Sequence, residues 1–354
     1  MGLNLINLYK QVNNCSWFLS DLKQTNNIQV FSTFACGGGS SMGYKLAGAN
    51  VLGANDIDPE MAWHYQQNLK PELYYLCPIK ELLNQKLDDR LYNLDILDGS
   101  PPCSSFSMAG KRERDWSKEK KFREGQAKQV LSDLFFDYLD LVKELKPKVA
   151  IAENVKGMLI GNAKGYTKLV IKRFEEIGYR VQVFLINGKN CGVPQARQRV
   201  FFCAIRSDLY KKKLILQPKE PIITAGEALQ DIVLNKEEQK YCAVSEKFTT
   251  LWKATLPGNN FEKAHVKLYG RPSWFTNVRM HSGKPASTLT ATDHDHAHWS
   301  EPRIFCFRER KRLQSFPDDY VAKKESLGNY LVGMSVPPKM TEQVAKAVIN
   351  QWLS

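Results

Sequence analysis

The chain has 354 residues, enough for one large domain or two modest ones with a substantial core. Lys and Arg outnumber Asp and Glu by 50 to 37, and the net charge of +13 predicts a polyanionic partner, nucleic acid ahead of a membrane. No apolar run approaches the roughly 18 residues of a membrane span, and no secretory signal is present, so we expect a cytoplasmic protein. The eight cysteines contain no Cys-x-x-Cys pair, which favours a reducing compartment over a disulfide or zinc framework.

A glycine-rich turn follows the first predicted strand, 29–34. The run Ala-Cys-Gly-Gly-Gly-Ser at 35–40 precedes a helical segment, and its consecutive glycines let a ligand approach the backbone closely. The spacing is not Gly-x-Gly-x-x-Gly, so a dinucleotide is not favoured, and a tight turn without a ligand explains the run nearly as well. A second strand, 50–54, leads to Asp56 and Asp58. An acid at this place suits ribose hydroxyl groups, whereas the alternative is that it caps the helix that follows.

A short apolar run, 94–97, predicts a buried strand, and the Gly-Ser-Pro-Pro-Cys sequence after it cannot continue a sheet. The two prolines stiffen the turn and present Cys103 beyond the carboxyl end of the strand, where open α/β sheets bind their ligands. Cys103 is therefore a candidate nucleophile, and a small buried thiol is the alternative. The polar segment that follows contains Lys111, Arg112 and Arg114, and we interpret it as a surface loop that contacts phosphates or as a solvated charge run.

The central part of the chain alternates between strand and helix patterns. Helices are predicted at 127–145 and 164–177, and strands at 149–152, 180–186 and 199–205. Such alternation predicts an α/β fold with a mostly parallel, doubly wound sheet. Glu153 directly follows one of these strands, where its carboxylate suits holding or donating a proton in the crevice that Cys103 faces. The spacing Gln195-x-Arg197-x-Arg199 predicts three polar side chains on one side of an extended segment.

The pattern changes at about residue 206. The segment 206–300 is rich in lysine and lacks the β/α rhythm, and we interpret it as a smaller, irregular domain inserted into a larger one formed by 1–205 and 301–354. His294, His296 and His298 alternate with aspartates there, but no further ligand at fitting spacing completes a metal site, so no metal is expected.

Taken in order and spacing, the glycine loop, the acid after the second strand, Pro-Cys, Glu-Asn-Val and Gln-x-Arg-x-Arg resemble the DNA (cytosine-5)-methyltransferase family over nearly the whole chain. The resemblance implies a Rossmann-like S-adenosylmethionine-dependent methyltransferase domain with an inserted target-recognition domain at 206–300. It implies methyl transfer from S-adenosyl-L-methionine to C5 of a flipped cytosine in double-stranded DNA. Cys103 would add to C6, Glu153 would hold or donate a proton at N3, and Arg197 would fix the base or orient Glu153.

The resemblance also assigns binding residues. The cofactor would contact the loop and three neighbouring segments, with Asp56 on the ribose and Ile57 on the adenine; the full set is Phe34, Cys36, Gly37, Gly38, Gly39, Asp56, Ile57, Pro101, Ser335 and Val336. DNA would contact Gln195, Arg199, Lys111, Arg112 and Arg114. The chain departs from the family pattern at Cys36 (usually Gly), Ser104 (usually Gln), Pro78 (near an expected Asp) and Met334 (usually Asn), none of which removes a group that the chemistry requires.

Several alternatives remain open. A catalytically inactive DNA-binding relative is disfavoured because Cys103 and Glu153 are both retained. An exocyclic-amino DNA methyltransferase has a similar motif, Ser/Asp-Pro-Pro-aromatic, but the fourth position here is Cys103, and Glu153 has no role in that mechanism. A tRNA-methylating member is disfavoured by the large lysine-rich domain. A nicotinamide oxidoreductase lacks its glycine spacing. By resemblance we expect a monomeric prokaryotic modification enzyme, acting separately from a cognate restriction endonuclease.

Overall fold

The protein is described by a computed structural model that covers residues 15–102, 134–161, 163–272 and 277–354, together with the backbone of 119–120 and 129–130. The described residues form two compact units. The first, here the sheet unit, draws on 22–191, 198–219 and 335–354; the second, here the helical unit, draws on 15–21, 192–197 and 220–334. These bounds concern packing, and the functional division at 206 and 300 stays a prediction.

The strands of the described chain fall into one large sheet and two small ones. In chain order they are β1 (Gln29–Thr33), β2 (Asn50–Asp56), β3 (Leu73–Leu76), β4 (Ile96–Gly99), β5 (Glu119–Lys120), β6 (Gln129–Val130), β7 (Val149–Val155), β8 (Tyr179–Asn187), β9 (Gln198–Arg206), β10 (Val278–Arg279) and β11 (His296–Ala297). The seven-stranded sheet has the order β3-β2-β1-β4-β7-β9-β8. Its first five strands are parallel neighbours, and β9 runs antiparallel to both β7 and β8. The predicted mostly parallel α/β fold is thus confirmed.

Helices connect these strands and form most of the helical unit. They are α1 (Gly39–Leu46), α2 (Pro59–Leu69), α3 (Ile79–Leu82), α4 (Leu134–Leu145), α5 (Ala163–Glu176), α6 (Ala225–Leu229), α7 (Lys236–Cys242), α8 (Glu246–Lys253), α9 (Glu262–Tyr269), α10 (Phe307–Leu313), α11 (Glu325–Met334) and α12 (Pro338–Val348). None of the helices in the described part of the chain is long and apolar enough to cross a membrane.

The core of the sheet unit lies between the sheet and α4. The face of α4 that packs there carries fully buried Tyr138, Leu139 and Val142, whose spacing is that of one helix face. The Tyr138 hydroxyl donates to the carbonyl oxygens of Leu97 and Ile151 at 2.8 and 3.0 Å, so one side chain bridges β4 and β7. These two strands are the ones that lead to Cys103 and end in Glu153-Asn154-Val155.

The 206–300 segment has more regular structure than the sequence suggested. Four helices, α6 to α9, lie within it, and two of them begin with a capping box: Thr224 with Glu227, and Asn235 with Glu238. The Thr-x-x-Glu and Asn-x-x-Glu spacings could therefore have predicted the starts of these two helices, although the segment lacks the alternation of strands and helices. In the sheet unit, β3 was not predicted because its four residues show no alternation, and β4 begins and ends two residues later than the predicted 94–97.

Candidate active site

The glycine-rich turn connects β1 to α1 through backbone conformations that L-amino acids rarely adopt. Phe34 and Cys36 have positive φ angles of 52° and 47°, and Gly38 has a φ of 85°. A Cβ atom on Gly39 would lie 2.2 Å from the carbonyl oxygen of Val336, so only glycine fits against this segment. The turn therefore packs directly on Ser335–Val336, as expected if both belong to one site.

Cys36 also contacts this segment through its side chain. Its Sγ lies 3.8 Å from the Ser335 Oγ, and burial raises the pKa of the Cys36 thiol to about 12, with the neighbouring Asp56 charge adding to the rise. The thiol is therefore neutral at physiological pH, and it is an unsuitable nucleophile. The departure from glycine at this position adds a packed thiol and a left-handed residue to the loop.

Asp56, at the carboxyl end of β2, ties the turn to the sheet. Its Oδ2 accepts a hydrogen bond from the Cys36 backbone N–H at 2.7 Å, and its Oδ1 accepts one from the Asp58 N–H at 2.9 Å. Burial raises the pKa of Asp56, and the two backbone bonds lower it again. Asp58 is the residue that caps α2, accepting from the N–H groups of Glu60 and Met61 at 2.9 and 3.3 Å. The two acids therefore have separate structural roles.

These residues fit an adenosyl cofactor chemically. Asp56 and Ile57 are both partly exposed at the strand end. Asp56 accepts backbone bonds from Cys36, Asp58 and Ile57, and because a carboxylate has about four lone-pair sites it can still accept a bond from a hydroxyl donor. Ile57 offers an apolar side chain beside it, and the positive-φ turn allows close approach to the backbone. The donor set and the cradle thus agree with the site predicted for S-adenosyl-L-methionine.

Glu153 is held by an arginine on the neighbouring strand. Its Oε1 lies 2.9 Å from Nε of Arg199, and both side chains are largely buried. The antiparallel register of β7 and β9 pairs Val155 with Arg199, which brings the guanidinium group alongside the carboxylate. Burial lowers the pKa of Arg199, and the Glu153 charge opposes that shift. A bond from the buried guanidinium fixes the orientation of the Glu153 carboxyl group.

Asn154 connects the same strand end to the segment before Cys103. Its Nδ2 donates to the Pro101 carbonyl oxygen at 3.0 Å, and Pro101 is buried. Glu153 thus lies one residue from a contact that fixes the chain two residues before the predicted nucleophile. Cys103 itself, together with Ser104, Lys111, Arg112 and Arg114, lies outside the described residues.

Gln195 and Arg197 belong to the helical unit, where both bind backbone groups of Leu289 and each binds at least one further residue. The Gln195 Oε1 accepts from the Leu289 N–H at 3.1 Å, and its Nε2 donates to the side-chain oxygen of Gln314 at 2.5 Å. Arg197 donates to the carbonyl oxygens of Leu289 and Gly333 at 2.9 and 3.0 Å. Both side chains are buried, and Gln195 is fully inaccessible. Their predicted contacts with DNA and with the base stay predictions.

Two groups with metal-ligand chemistry are already engaged. Cys242, Cys306 and Glu309 lie within 4.8 Å of one another, but Arg303 donates to both carboxylate oxygens of Glu309 at 2.8 and 2.9 Å. A guanidinium in that position repels a cation. His296 is bonded through Nε2 to the Ser287 hydroxyl at 2.7 Å and lies beside Asp295.

One buried acid near the site, Asp98, was not predicted from the sequence. Asp98 lies on β4 and is 1% exposed, and its Oδ2 accepts from the Ser32 hydroxyl at 2.6 Å. The usable signal was a second aspartate within the apolar run Leu94-Asp95-Ile96-Leu97-Asp98. An acid in a central parallel strand is unusual because such strands are buried on both faces.

The order of the strands and the reversed β9 define a Rossmann-like α/β fold. The model of the family described as C-5 cytosine-specific DNA methylase matches residues 28–350. The chain therefore belongs to this family, and it is a methyltransferase.

Curated relatives are similar over nearly their full length. The Type II methyltransferase M.NgoFVII of Neisseria gonorrhoeae is 30% identical, covering 97% of this chain and 90% of the relative. The Type II methyltransferase M.FnuDI of Fusobacterium nucleatum is 28% identical, covering 91% of this chain and 94% of the relative. Family membership thus rests on the whole chain and not on isolated motifs.

Solved structures show the same fold at lower identity. An Escherichia coli prophage protein described as a DNA modification methyltransferase superimposes with a TM-score of 0.69 at 20% identity, covering 93% of this chain and 100% of the other. A mutant of Spodoptera frugiperda DNMT2 superimposes with a TM-score of 0.64 at 17% identity, covering 91% and 100%. At these identities the likeness concerns the fold alone.

Proposed function

We propose that this enzyme transfers a methyl group from S-adenosyl-L-methionine to C5 of a cytosine in double-stranded DNA, with Cys103 as the nucleophile. The observation that carries the proposal is the end of β7. There Arg199 holds the Glu153 carboxylate at 2.9 Å, and Asn154 binds Pro101 at 3.0 Å. This arrangement fixes a carboxyl group beside the segment that leads to Cys103, as a cysteine-plus-acid mechanism requires.

The cofactor would be held by residues of the sheet unit. Phe34, Cys36 and the three glycines would surround it, with Asp56 on the ribose, Ile57 on the adenine, and Pro101, Ser335 and Val336 completing the site. When bound, it supplies an electrophilic methyl group. The buried loop and the backbone bonds of Asp56 hold the surrounding residues in place before binding, so little ordering is needed when the cofactor arrives.

Cys103 would activate the base for this transfer. C5 of cytosine is a weak nucleophile, and addition of a thiolate at C6 forms an S–C6 bond and raises the electron density at C5. Charge develops at N3, where Glu153 would hold or donate a proton, and Arg199 would keep that carboxyl group oriented. Once C5 carries the methyl group, water would take the C5 proton and the S–C6 bond would break, which would release the methylated base and the Cys103 thiolate.

In this proposal Arg199, and not Arg197 as the resemblance implied, orients Glu153. Since the Arg199 guanidinium contacts Glu153, we assign it the orienting function. Gln195 and Arg197 would instead hold the segment around Leu289 in the helical unit. The segment 206–300 would read the DNA sequence, and these two buried side chains would hold part of its backbone in place.

The DNA substrate would bind through the positive charge of the protein. The net charge of +13 predicts an affinity that falls steeply with salt. The target cytosine must leave the duplex to reach a cysteine, at a cost of a few kcal/mol. Lys111, Arg112 and Arg114 would contact phosphates beside it. The names of the curated relatives support a Type II modification enzyme. We expect it to act as a monomer, with any restriction endonuclease a separate protein.

Mechanism-based trapping tests this proposal. The purified protein is incubated with labelled S-adenosyl-L-methionine and a mixture of genomic DNAs substituted with 5-fluorocytosine. Because fluorine cannot leave C5 as a proton does, we expect a covalent protein–DNA adduct with the parent protein and none with Cys103→Ser. Cys191→Ser is the matched control, since its Sγ donates to the Asn187 carbonyl at 3.6 Å and a hydroxyl can keep that bond. Methylation without any adduct would indicate amino-group transfer, and DNA binding without either product would indicate an inactive relative.

A further inference from the structure

Asp98 is a buried acid whose described partners are hydroxyl groups. Its Oδ2 accepts from Ser32 on β1 at 2.6 Å, and its Oδ1 accepts from the Tyr44 hydroxyl on α1 at 3.0 Å. The Ser40 hydroxyl, in the first turn of α1, donates to the same carboxylate. The Asp98 side chain on β4 thus accepts hydrogen bonds from three hydroxyl groups, one on β1 and two on α1.

The elements that Asp98 joins are the helix that begins in the proposed cofactor-binding turn and the strand that leads to the proposed nucleophile. Helix α1 begins at Gly39, inside the glycine-rich turn, and β4 ends at Gly99, four residues before Cys103. The Thr33 hydroxyl also donates to the Asp98 carbonyl oxygen at 3.0 Å, so the end of β1 is fixed to the same residue. A change at Asp98 would therefore alter the position of the turn relative to the strand that leads to the nucleophile.

Packing alone does not explain an acid at this position. The neighbouring β4 residues Ile96 and Leu97 are fully buried and apolar, and an apolar side chain at 98 would avoid burying a carboxyl group. Bonds from hydroxyl groups to a carboxylate are short and about twice as strong as neutral ones. The ionised carboxylate therefore holds α1 to β4 more firmly than a packed methyl group does.

We propose that Asp98 is a positioning residue for methyl transfer: its carboxylate fixes the start of α1, and with it the glycine-rich turn, relative to the strand that leads to Cys103. This inference rests on the proposed function, because it takes the turn as the cofactor site.

The protonation state of Asp98 gives the inference a measurable signature. Burial raises the pKa of Asp98 to about 6, the hydroxyl donors lower it, and the Glu153 charge on β7 raises it. Three other titratable groups face it: Tyr44 from α1, Tyr65 from α2 and Tyr138 from α4, and burial raises the pKa of each. These tyrosines therefore stay neutral in the pH range where Asp98 changes charge.

The direction of the pH effect follows from this shift. Above about pH 6 the carboxylate accepts all three hydroxyl bonds, and below it a proton occupies one acceptor site. Because the folded pKa lies above the ordinary 3.8, Asp98 favours folding most at low pH, and this contribution is lost as the pH rises through about 6. The ionised form of Asp98, which positions the turn, thus contributes less to folding than the protonated form. As the pH falls through about 6, the affinity for the cofactor should fall while the contribution of Asp98 to the free energy of unfolding rises.

Titration calorimetry with S-adenosyl-L-methionine alone tests the inference. We expect the wild-type Kd to weaken about tenfold between pH 7.5 and 5.0, since one charge-assisted bond is lost. Asp98→Asn should bind about tenfold more weakly at pH 7.5 and show no such pH dependence, with its DNA affinity unchanged within about twofold. The matched control is Asp95→Asn, which removes a carboxylate bound by the Gln29 N–H and by Lys148 Nζ, both at 2.8 Å, before the opposite end of the same strand. It should follow the wild type.

Other outcomes overturn the inference. An Asp98→Asn protein with the wild-type Kd and pH profile would do so, as would equal weakening in both variants with equally lowered melting temperatures. If Asp98→Asn does not fold, Ser32→Ala and Tyr44→Phe carry the test: each removes a donor that lowers the Asp98 pKa, so the midpoint of the pH profile should move upward. A protein with the expected profile that methylates no DNA would contradict the proposed function and support this inference; one that binds no cofactor at any pH would contradict both.

Discussion

The sheet unit and the helical unit provide hydrogen-bond partners for their backbone groups in different ways. In the sheet unit, the seven strands bond to one another and cover one large apolar core that includes Phe31, Leu97 and Phe202. In the helical unit, the apolar clusters are small, such as Leu251, Phe261, Ala264 and Ala297, and cationic side chains donate to backbone carbonyls. The cations that do so are Arg197, Arg279, Arg303, Arg308, Arg310, Lys311 and Arg312.

This difference has consequences for how the two units respond to substitution. A strand ladder distributes the backbone bonds over many residues, so a functional side chain at a strand end can change without unfolding the sheet. A buried arginine concentrates several backbone bonds in one side chain, and its loss leaves each of those carbonyls without a donor. We therefore expect activity and stability to separate in the sheet unit and to fall together in the helical unit.

The largest expected effect is on catalysis. Glu153→Gln keeps the shape of the side chain but removes the charge and the proton-transfer capacity at the end of β7. We expect kcat to fall by about 1,000-fold, or about 4 kcal/mol of transition-state stabilisation. Because Arg199 can still donate to the amide oxygen, the free energy of unfolding should fall by only about 1 kcal/mol. Single-turnover methylation and urea denaturation measure the two quantities.

The control for this substitution is Glu175→Gln, on the exposed face of α5 in the same unit. It should leave both quantities unchanged. Equal losses of activity and stability in Glu153→Gln would show that the strand end holds the sheet together, which would remove the contrast between the units.

The next effect concerns Arg279 in the helical unit. Its Nη1 donates to the Thr255 and Trp252 carbonyls at 2.7 and 3.2 Å, its Nε and Nη2 donate to the Trp299 carbonyl at 3.0 and 2.7 Å, and its guanidinium stacks on the Trp252 ring at 3.6 Å. Arg279→Met keeps the length of the side chain and removes all these bonds. We expect the helical unit to lose about 3 kcal/mol of stability in urea denaturation.

DNA binding should weaken with that loss, whereas the calorimetric Kd for S-adenosyl-L-methionine should not change. Arg271→Met, at an exposed position of the same unit, is the matched control and should lower stability by less than about 0.5 kcal/mol. If Arg279→Met behaved like this control, the carbonyl bonds of the cations would not be what holds the helical unit together.

The same difference explains which parts of the fold could be predicted from the sequence. Hydrogen bonding in the sheet unit is periodic, so runs such as 149–152 and 180–186 matched β7 and β8 to within a few residues. The strand-end positions of Asp56 and Glu153 followed from that match. In the helical unit, the bonds of Arg197 reach residues 92 and 136 positions away, and no local pattern encodes such partners.

The details of the site could be predicted only in part. Arg197 and Arg199 are equivalent in the spacing Gln-x-Arg-x-Arg, and the choice between them depends on the register of β7 with β9, which the sequence does not reveal. In the sequence, Asp56 and Asp58 were equally good candidates for the cap of α2, and in the structure Asp58 is the N-cap. Asp98 required knowledge of the hydroxyl groups that face β4 from β1 and α1.

The smallest effect compares two tyrosines of the sheet unit whose hydroxyl groups are buried. The Tyr74 hydroxyl on β3 is buried and has no hydrogen-bond partner among the residues that the structure describes, whereas the Tyr138 hydroxyl donates to two carbonyls. Removing an unsatisfied polar atom is favourable, so Tyr74→Phe should raise the free energy of unfolding by about 1 kcal/mol, and Tyr138→Phe should lower it by about 1–2 kcal/mol. Urea denaturation of both variants measures this difference in sign. Two losses of equal size would mean that Tyr74 gains a partner in solution, and two gains would mean that the bonds bridging β4 and β7 contribute less than the ladder already provides.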